Sequence, residues 1–555
     1  MSKMTRVVKE AKKEKDFEAQ KPVTNFMGGV SFCWNPLDTL KMVTASSIFG
    51  EPAYYREGEF GQGTVQDGTF SVDMDFAEYL VAAMKGYDDK KTSDIMEEAI
   101  DAALDYDFKA TLEWAVTLRN DFCMRLNPQV IMVRAAQHPK RAEFTAKYPG
   151  LFDEINQKVM ARADEPSTQL TYYLYKNGGK GKVPGVLKRS WANRLELMSR
   201  YEAYKYRNAG IGMIDTVRIC HAKGELIDEL MQTGTVSVQE NEKTWETMRA
   251  NGASWHEILT TIQVGHMALL RNLRGIFLEI DDMEETKKIL NTLKAGVKRG
   301  KQFPFRYMTA YRTIEKTDVN HRRMILDALE ECMDIACDNM PKLKGRTMCL
   351  SDNSGSAWGT FNSEYGTVTV ANIDNLSSVI TARNSDEGIV GKFGDRLIPF
   401  EISKRDGVLS QTKAIDKGEC ENVGGGTECG IWLFFDKAIR NSEWYDNIFI
   451  YSDMQAGHGD LYGTSKEVAR YESMGYAVRS RYINVAKLID EYRRKVNPKA
   501  NVFSVQTAGY DNVVIPENGY RTALLYGWTG KELVYADAIN RFWDEKDAQS
   551  EKKTH

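Results

Sequence analysis

Cysteine is scarce and scattered in this chain of 555 residues. The eight (Cys33, Cys123, Cys220, Cys332, Cys337, Cys349, Cys420 and Cys429) form no CxxC pair. That excludes a disulfide framework and zinc-ligand spacing, and makes a reducing cytoplasm the expected location. Long hydrophobic runs are missing as well. Runs such as Ile431–Phe435 and Asn447–Tyr451 are far short of the ~20 residues that cross a membrane. The N-terminus opens on charge (Lys9, Lys12, Lys13, Lys15) without an apolar stretch, so no secretory signal is expected. An excess of basic charge is also lacking. With 74 Lys and Arg against 78 Asp and Glu the formal net charge is -4, so a nucleic-acid site has to be a local patch.

What is present is a soluble composition, 42% hydrophobic and 27% charged, on a chain too long for one ordinary core. Residues 1–25 and 544–555 are polar and charged and read as tails. From about 75 to 345 the pattern is helical, as in Phe76–Met84, Ile95–Ile100, Glu225–Leu230 and Met324–Leu329, where apolar residues recur three and four apart. The segments resemble a stack of helix pairs without a fixed-period repeat. Near Lys342 the character changes. Thr347–Ser351 reads as a buried strand followed by a polar loop, and Gly388–Ser403 as two strands turning at Gly394-Asp395. A helix over Cys429–Arg440 follows, then strands at Asn447–Ser452, Asn501–Thr507 and Tyr520–Trp528, and an amphipathic helix ending near Trp543. Strands alternating with helices imply a mostly parallel sheet covered on both faces. The expected fold class is therefore α plus α/β: helical repeats over 26–345, then a doubly wound domain over 346–543.

Asp352-Asn353-Ser354-Gly355-Ser356 leaves the carboxyl end of the first strand of that second domain. Oxygen side chains at alternate positions can converge on one hard cation, and ligands of doubly wound sheets collect at that edge. Downstream, Gly424-Gly425-Gly426-Thr427 opens a helix and Asp453 ends a strand. DxSxS, a GGGT threonine and a strand-terminal Asp, in this order, resemble the metal-ion-dependent adhesion site of von Willebrand factor A domains. The resemblance implies a divalent cation, Mg²⁺, held by Asp352, Ser354, Ser356, Thr427 and Asp453, with an open position for an acidic group. Alone, the DNSGS loop reads equally as a polar turn. No His or further Glu stands in these loops as a general base, so hydrolysis is not implied.

Between Lys176 and Lys223 there are eleven Lys or Arg and three acids, Glu196, Glu202 and Asp215. On one continuous helix from Val186, Leu187, Trp191, Leu195 and Met198 mark the buried face. At ~100° per residue Arg189, Arg200 and Arg207 then fall within ~20° of one another on the other side. Such a column suits phosphate, and Tyr201, Tyr204 and Tyr206 suit base stacking. A solvated charged face is the plainer reading. Lys205 fits such a helix badly, because it would lie toward the apolar side.

Leu187-Lys188-Arg189 through Lys205-Tyr206-Arg207-Asn208, with Asp215–His221, resembles the basic segment of the TROVE module of the Ro autoantigen family. Gly265–Arg274, with Ala268-Leu269-Leu270-Arg271-Asn272-Leu273 at its centre, is similar to that family's most specific signature. Thr44–Tyr55 looks like its N-terminal segment, and Phe303-Pro304-Phe305 is a weaker echo. The domain order matches over roughly 26–543. The resemblance implies a ring of HEAT-like repeats closed by the A domain. It also implies a Y RNA-like small noncoding RNA on the outer basic surface, at Lys188, Arg189, Arg200, Lys205, Arg207 and His221, and single-stranded ends of misfolded RNA in a central hole. The spacing between the basic cluster and the histidine is one residue shorter than in the family, so Arg207 matches either of two family basic residues. Extra residues, Met454 to about Arg479, follow Asp453. His221 reads otherwise as a capped or core histidine, Arg271 and Asn272 as helix-end partners, and Trp358 as core or interface.

Three functions compete. The first is a non-catalytic ribonucleoprotein component in RNA quality control, in the cytoplasm and off the membrane, with an exoribonuclease or an acidic protein as A-domain partner. The second is an adaptor whose metal site grips an acidic residue while the helices serve as scaffold. The third, a metal-dependent nuclease, lacks a second carboxylate cluster.

Overall fold

The computed structural model describes residues 22–24, 30–32 and 36–46; 92–358 except 123, 180–181, 208–211, 239–242 and 303; 369–453 except 426–427; and 473, 477–478, 482–483, 485–507, 521–526 and 532–554. The anticipated helix over Phe76–Met84, residues 47–55, Phe303, Thr427 and most of the 454–479 insertion lie outside the described residues. Two compact units result, Met96–Ile335 and a second made of Met1–Ile95 with Ala336–His555. The first unit is helical and the second is α/β, so the chain is α plus α/β. The N-terminal residues cluster with the sheet, whereas the sequence division groups them with the helices. In particular, the helix Pro36–Ser46 packs on the strand Thr522–Tyr526.

In the helical unit successive helices pack through their apolar faces, and the expected segments appear as Glu225–Thr233 and Arg322–Asp338. The helix His266–Glu279, which carries the ALLRNL run, lies on Met283–Gly300. The His266 ring sits where Gly296 and Gly300 leave the facing helix bare. A Cβ at Gly296 would stand 2.7 Å from His266 Nδ1, and one at Gly300 would press closer still against the ring. Tyr307 pins the ring through a 2.8 Å hydrogen bond with His266 Nε2. Gly300→Ala is therefore expected to lower stability by about 1–3 kcal/mol through overpacking. Removing the ring in the same chain (His266→Ala with Gly300→Ala) should recover part of that loss in urea unfolding. Two equally unstable variants would show that the ring does not occupy this groove.

The α/β unit is built on six strands: β1 Leu343–Asp352, β2 Ser385–Phe393, β3 Leu397–Glu401, β4 Asn447–Ser452, β5 Asn501–Gln506 and β6 Thr522–Tyr526. Their order is β6-β5-β4-β1-β2-β3. All pairs are parallel except the edge hairpin β2–β3, which turns at Gly394–Arg396. On one face the helices Glu428–Asn441 and Val485–Lys495 bury Trp432, Phe434, Phe435, Leu488 and Tyr492 against Met348, Leu350, Ile448 and Ile450. The other face carries the helix Val370–Arg383, every residue of which is buried. The sequence reads that stretch as loop because its polar residues (Asn372, Asp374, Asn375, Ser377, Ser378, Thr381) hide the apolar period. Here they face protein instead of water; Thr381 Oγ1 lies 2.7 Å from the Tyr451 hydroxyl. The C-terminal helix runs Glu532–Thr554, past the expected stop at Trp543 and through the 544–555 stretch taken for a tail. Its charged residues are good helix formers, and no Gly or Pro ends it.

Candidate metal centre and nucleic-acid interface

β1 has β2 on one side and β4 on the other, so the strand order reverses between β1 and β4, where open α/β sheets bind ligands. Asp352 ends β1 and Asp453 directly follows β4. Asp352 is buried. Its Oδ1 accepts the Ser354 N–H at 2.9 Å and its Oδ2 the Ser452 hydroxyl at 2.6 Å. The Ser354 and Ser356 hydroxyls are 3.1 Å apart. Gly355 N–H donates to Gly425 O at 2.9 Å, so the DNSGS loop meets the GGGT loop. Thr427 itself lies outside the described residues. Asn353 accepts from Trp358 Nε1 at 3.1 Å and exchanges hydrogen bonds with Asn375. Trp358 therefore braces the loop.

Burial, and then the like charge of Asp453, push the Asp352 carboxyl up to about 8. No ion pair among the described residues neutralises it. Nor, among them, do three His, Cys, Asp or Glu side chains gather closely enough to hold a metal. Two buried carboxylates beside a serine pair nevertheless suit a hard cation, provided the hydroxyls serve as donors. In metal-free protein the folded carboxyl keeps its proton above the usual carboxylate range while the unfolded one has lost it, so the unfolded state binds fewer protons. Stability should then fall as pH rises from about 4 to about 8. Urea midpoints in EDTA that rise across this window would contradict the buried pair.

Sequence analysis missed Asp374 and Thr507. Asp374 (0% exposed) comes from the buried helix and Thr507 (2%) follows β5, its N–H donating to Ser452 O at 3.1 Å. Burial, then the charge of Asp352, holds the Asp374 carboxyl well above its ordinary range. The Thr507 hydroxyl lies close enough to favour the charged form, but not in hydrogen-bond geometry. Both carboxylate oxygens and that hydroxyl are buried without a hydrogen-bond partner. For Asp374 the only sequence signal is acids and amides within a buried helix; for Thr507 it is the position directly after a strand.

The basic segment departs from the single helix expected. It is two helices, Gly185–Glu196 and Arg200–Tyr206, because Ser199 caps the second and Glu202 closes a capping box. Leu187, Trp191, Leu195 and Met198 are buried as anticipated, but the continuous arginine column does not exist. Arg200 is held by Glu229, with Nη1 at 2.9 and 2.7 Å from its carboxylate oxygens. Arg194 is structural, donating to Met160 O, Ala161 O and Glu202. Lys176 pairs with Glu97 at 2.6 Å and Arg218 with Asp215 at 3.6 Å. Arg189, Lys205 and His221 are exposed and Lys188 is half-buried. The helix break places Lys205 in solvent without strain. Lys188 and Arg189 make no ion pair among the described residues.

Of the tyrosines, Tyr201 is exposed, but Tyr204 is buried and covered by the Arg207 guanidinium 4.3 Å from its ring centre. Tyr204 is thus unavailable for stacking on bases. Arg207 also donates to Tyr204 O. Arg162 covers the Tyr206 ring at 4.4 Å. His221 ends the helix Met213–Cys220 in the left-handed region (φ 59), a cap with an exposed ring, and that helix packs on Gly185–Glu196. Burial raises the Cys220 thiol, and Lys188 is near enough to oppose that rise, so Lys188 and His221 share one neighbourhood. Asn272 Nδ2 donates to Ala268 O at 2.7 Å within its own helix, a structural role.

Residues 232–356 match the family model of the TROVE domain. The match takes in the ALLRNL helix and the DNSGS loop and begins beyond the basic segment. The crystal structure of the Deinococcus radiodurans Ro (RSR) protein is similar with a TM-score of 0.57 and 14% identity, over 90% of this chain and 99% of that one. At that identity the likeness is one of fold. No curated protein sequence matches the chain.

Proposed function

We propose that this chain, which matches the TROVE domain over residues 232–356 and shares the fold of a Ro protein, is a Ro-type protein that binds a small structured Y RNA-like RNA on the surface around Lys188, Arg189, Lys205, Arg207 and His221. It takes single-stranded ends of misfolded RNA at a separate place, and it works in RNA quality control in the cytoplasm without catalysing a reaction. One observation carries the reading. Structural pairs have claimed Lys176, Arg194, Arg200 and Arg218, and the Tyr204 ring has taken Arg207. The basic side chains Lys188, Arg189 and Lys205 remain outside any ion pair among the described residues, on neighbouring helices of a chain whose net charge is -4. Phosphate contacts need cations that no carboxylate already holds. No described helix is long and apolar enough to cross a membrane.

In the α/β unit, Asp352, Ser354, Ser356, Thr427 and Asp453 hold a divalent cation, Mg²⁺ by the chemistry of the donors. When bound, the ion offers positive charge to an acidic group of a protein partner such as an exoribonuclease. Asp352 and Asp453 anchor the site, and Trp358 with Asn353 and Asn375 keep its loop in place.

RNA that copurifies with the full chain from its native host tests the reading. Sequencing should return discrete small structured species, reduced when Lys188 and Arg189 are both alanine. An undiminished, size-heterogeneous RNA pool would overturn it in favour of the adaptor.

A further inference from the structure

Most buried polar atoms of the α/β unit are paired. Asn375 alone ties Ser351, Asn353 and Asp416 together, at 2.7, 2.8 and 2.8 Å. Against that background, Asp374 and Thr507 are fully buried beside each other, and neither carboxylate oxygen nor the hydroxyl makes a hydrogen bond of good geometry, as is also true of Ser378 Oγ on the same helix. An unpaired buried carboxylate is costly and persists where something outside the protein satisfies it. Both groups belong to the carboxyl edge of the sheet. Thr507 hangs on Ser452, whose hydroxyl holds Asp352, and Gln506 donates to Asp453 O at 2.9 Å. Asp374 lies within electrostatic reach of both Asp352 and Asp453.

We propose that Asp374 and Thr507 are further cation-site residues, holding water in the shell of the divalent ion of the site that Asp352, Ser354, Ser356 and Asp453 build. The inference rests on that cation reading and extends it. A water-mediated role follows from two facts. No three acidic side chains among the described residues converge directly on a metal position, and Mg²⁺ gives up its waters reluctantly. A water bridging to Asp374 and Thr507 satisfies both orphaned groups. The ion in turn offsets three carboxylates buried together. Such outer partners commonly change metal affinity 10–100-fold when removed.

The test is isothermal titration of the full-length protein with Mg²⁺ and with Mn²⁺, for wild type, Asp374→Asn and Thr507→Val, alongside thermal unfolding in EDTA. Asp374→Asn should weaken binding about 10–100-fold. The metal-free variant should be at least as stable as metal-free wild type, because one of three like groups is gone. A purely structural Asp374 gives the reverse: unchanged affinity and a less stable metal-free protein. Either half of that result overturns the proposal. Should Asp374→Asn not fold, Thr507→Val carries the test, with weaker binding expected and unchanged binding contradicting it. Wild type that binds neither ion removes the cation reading itself and the proposal with it. Wild type that binds while both variants bind equally well removes the proposal alone.

Discussion

Replacing Lys188, Arg189 and Lys205 together by alanine is expected to weaken binding of a small structured RNA by up to about 10²–10³-fold near 0.1 M salt and far less near 1 M. Each lost phosphate contact flattens the plot of log K against log salt by up to ~0.9, so three flatten it by up to ~2.7. These three side chains lie outside the structural ion pairs, and all are exposed or half-exposed. Arg200→Ala is the matched control. Its guanidinium already faces Glu229, so its loss should move the slope little. A folded triple variant with an unchanged slope would exclude this surface. Lower affinity at constant slope would mean the residues act through packing, and no change in either would favour the adaptor.

Trp191→Ala should produce the largest loss of stability, about 3–5 kcal/mol for a fully buried aromatic side chain. RNA binding should fall with it, because the helix that presents Lys188 and Arg189 turns on that anchor. Trp191 is 0% exposed and donates from Nε1 to Gln169 Oε1 at 2.8 Å. Gln169 in turn donates to Gln129 and Asn156, each at 2.7 Å. Trp191→Phe keeps most of the volume but takes away the donor, leaving Gln169 Oε1 only the longer 3.3 Å contact from Asn156. It should lose about 1–3 kcal/mol. Urea unfolding of the three proteins separates packing from the polar network. Equal losses in both variants would place the energy in the hydrogen bonds.

Part of this architecture is legible in the order of residues. The 3.6-residue period of Arg322–Asp338, the apolar strands Asn447–Ser452 and Asn501–Gln506, and the hairpin turn at Gly394-Asp395 are local patterns, and local patterns survive folding. So does the buried face of Leu187, Trp191, Leu195 and Met198. The break at Ser199 is written as S-x-x-E but is outweighed by a helical period that continues across it.

Amino-acid order by itself determined the α plus α/β class, the change near Lys342, and Asp352 at the end of a strand, because each depends on neighbours within a few residues. Tertiary structure alone decided which charges are committed: Arg200 to Glu229, Arg194 to two carbonyls, Arg207 to the Tyr204 ring. It also decided that a polar stretch, Val370–Arg383, is a buried helix bringing Asp374 toward Thr507, which lies 133 residues further along the chain. Partners so distant meet only when the sheet forms. An ion pair or an orphaned carboxylate is a property of that meeting and of neither residue alone.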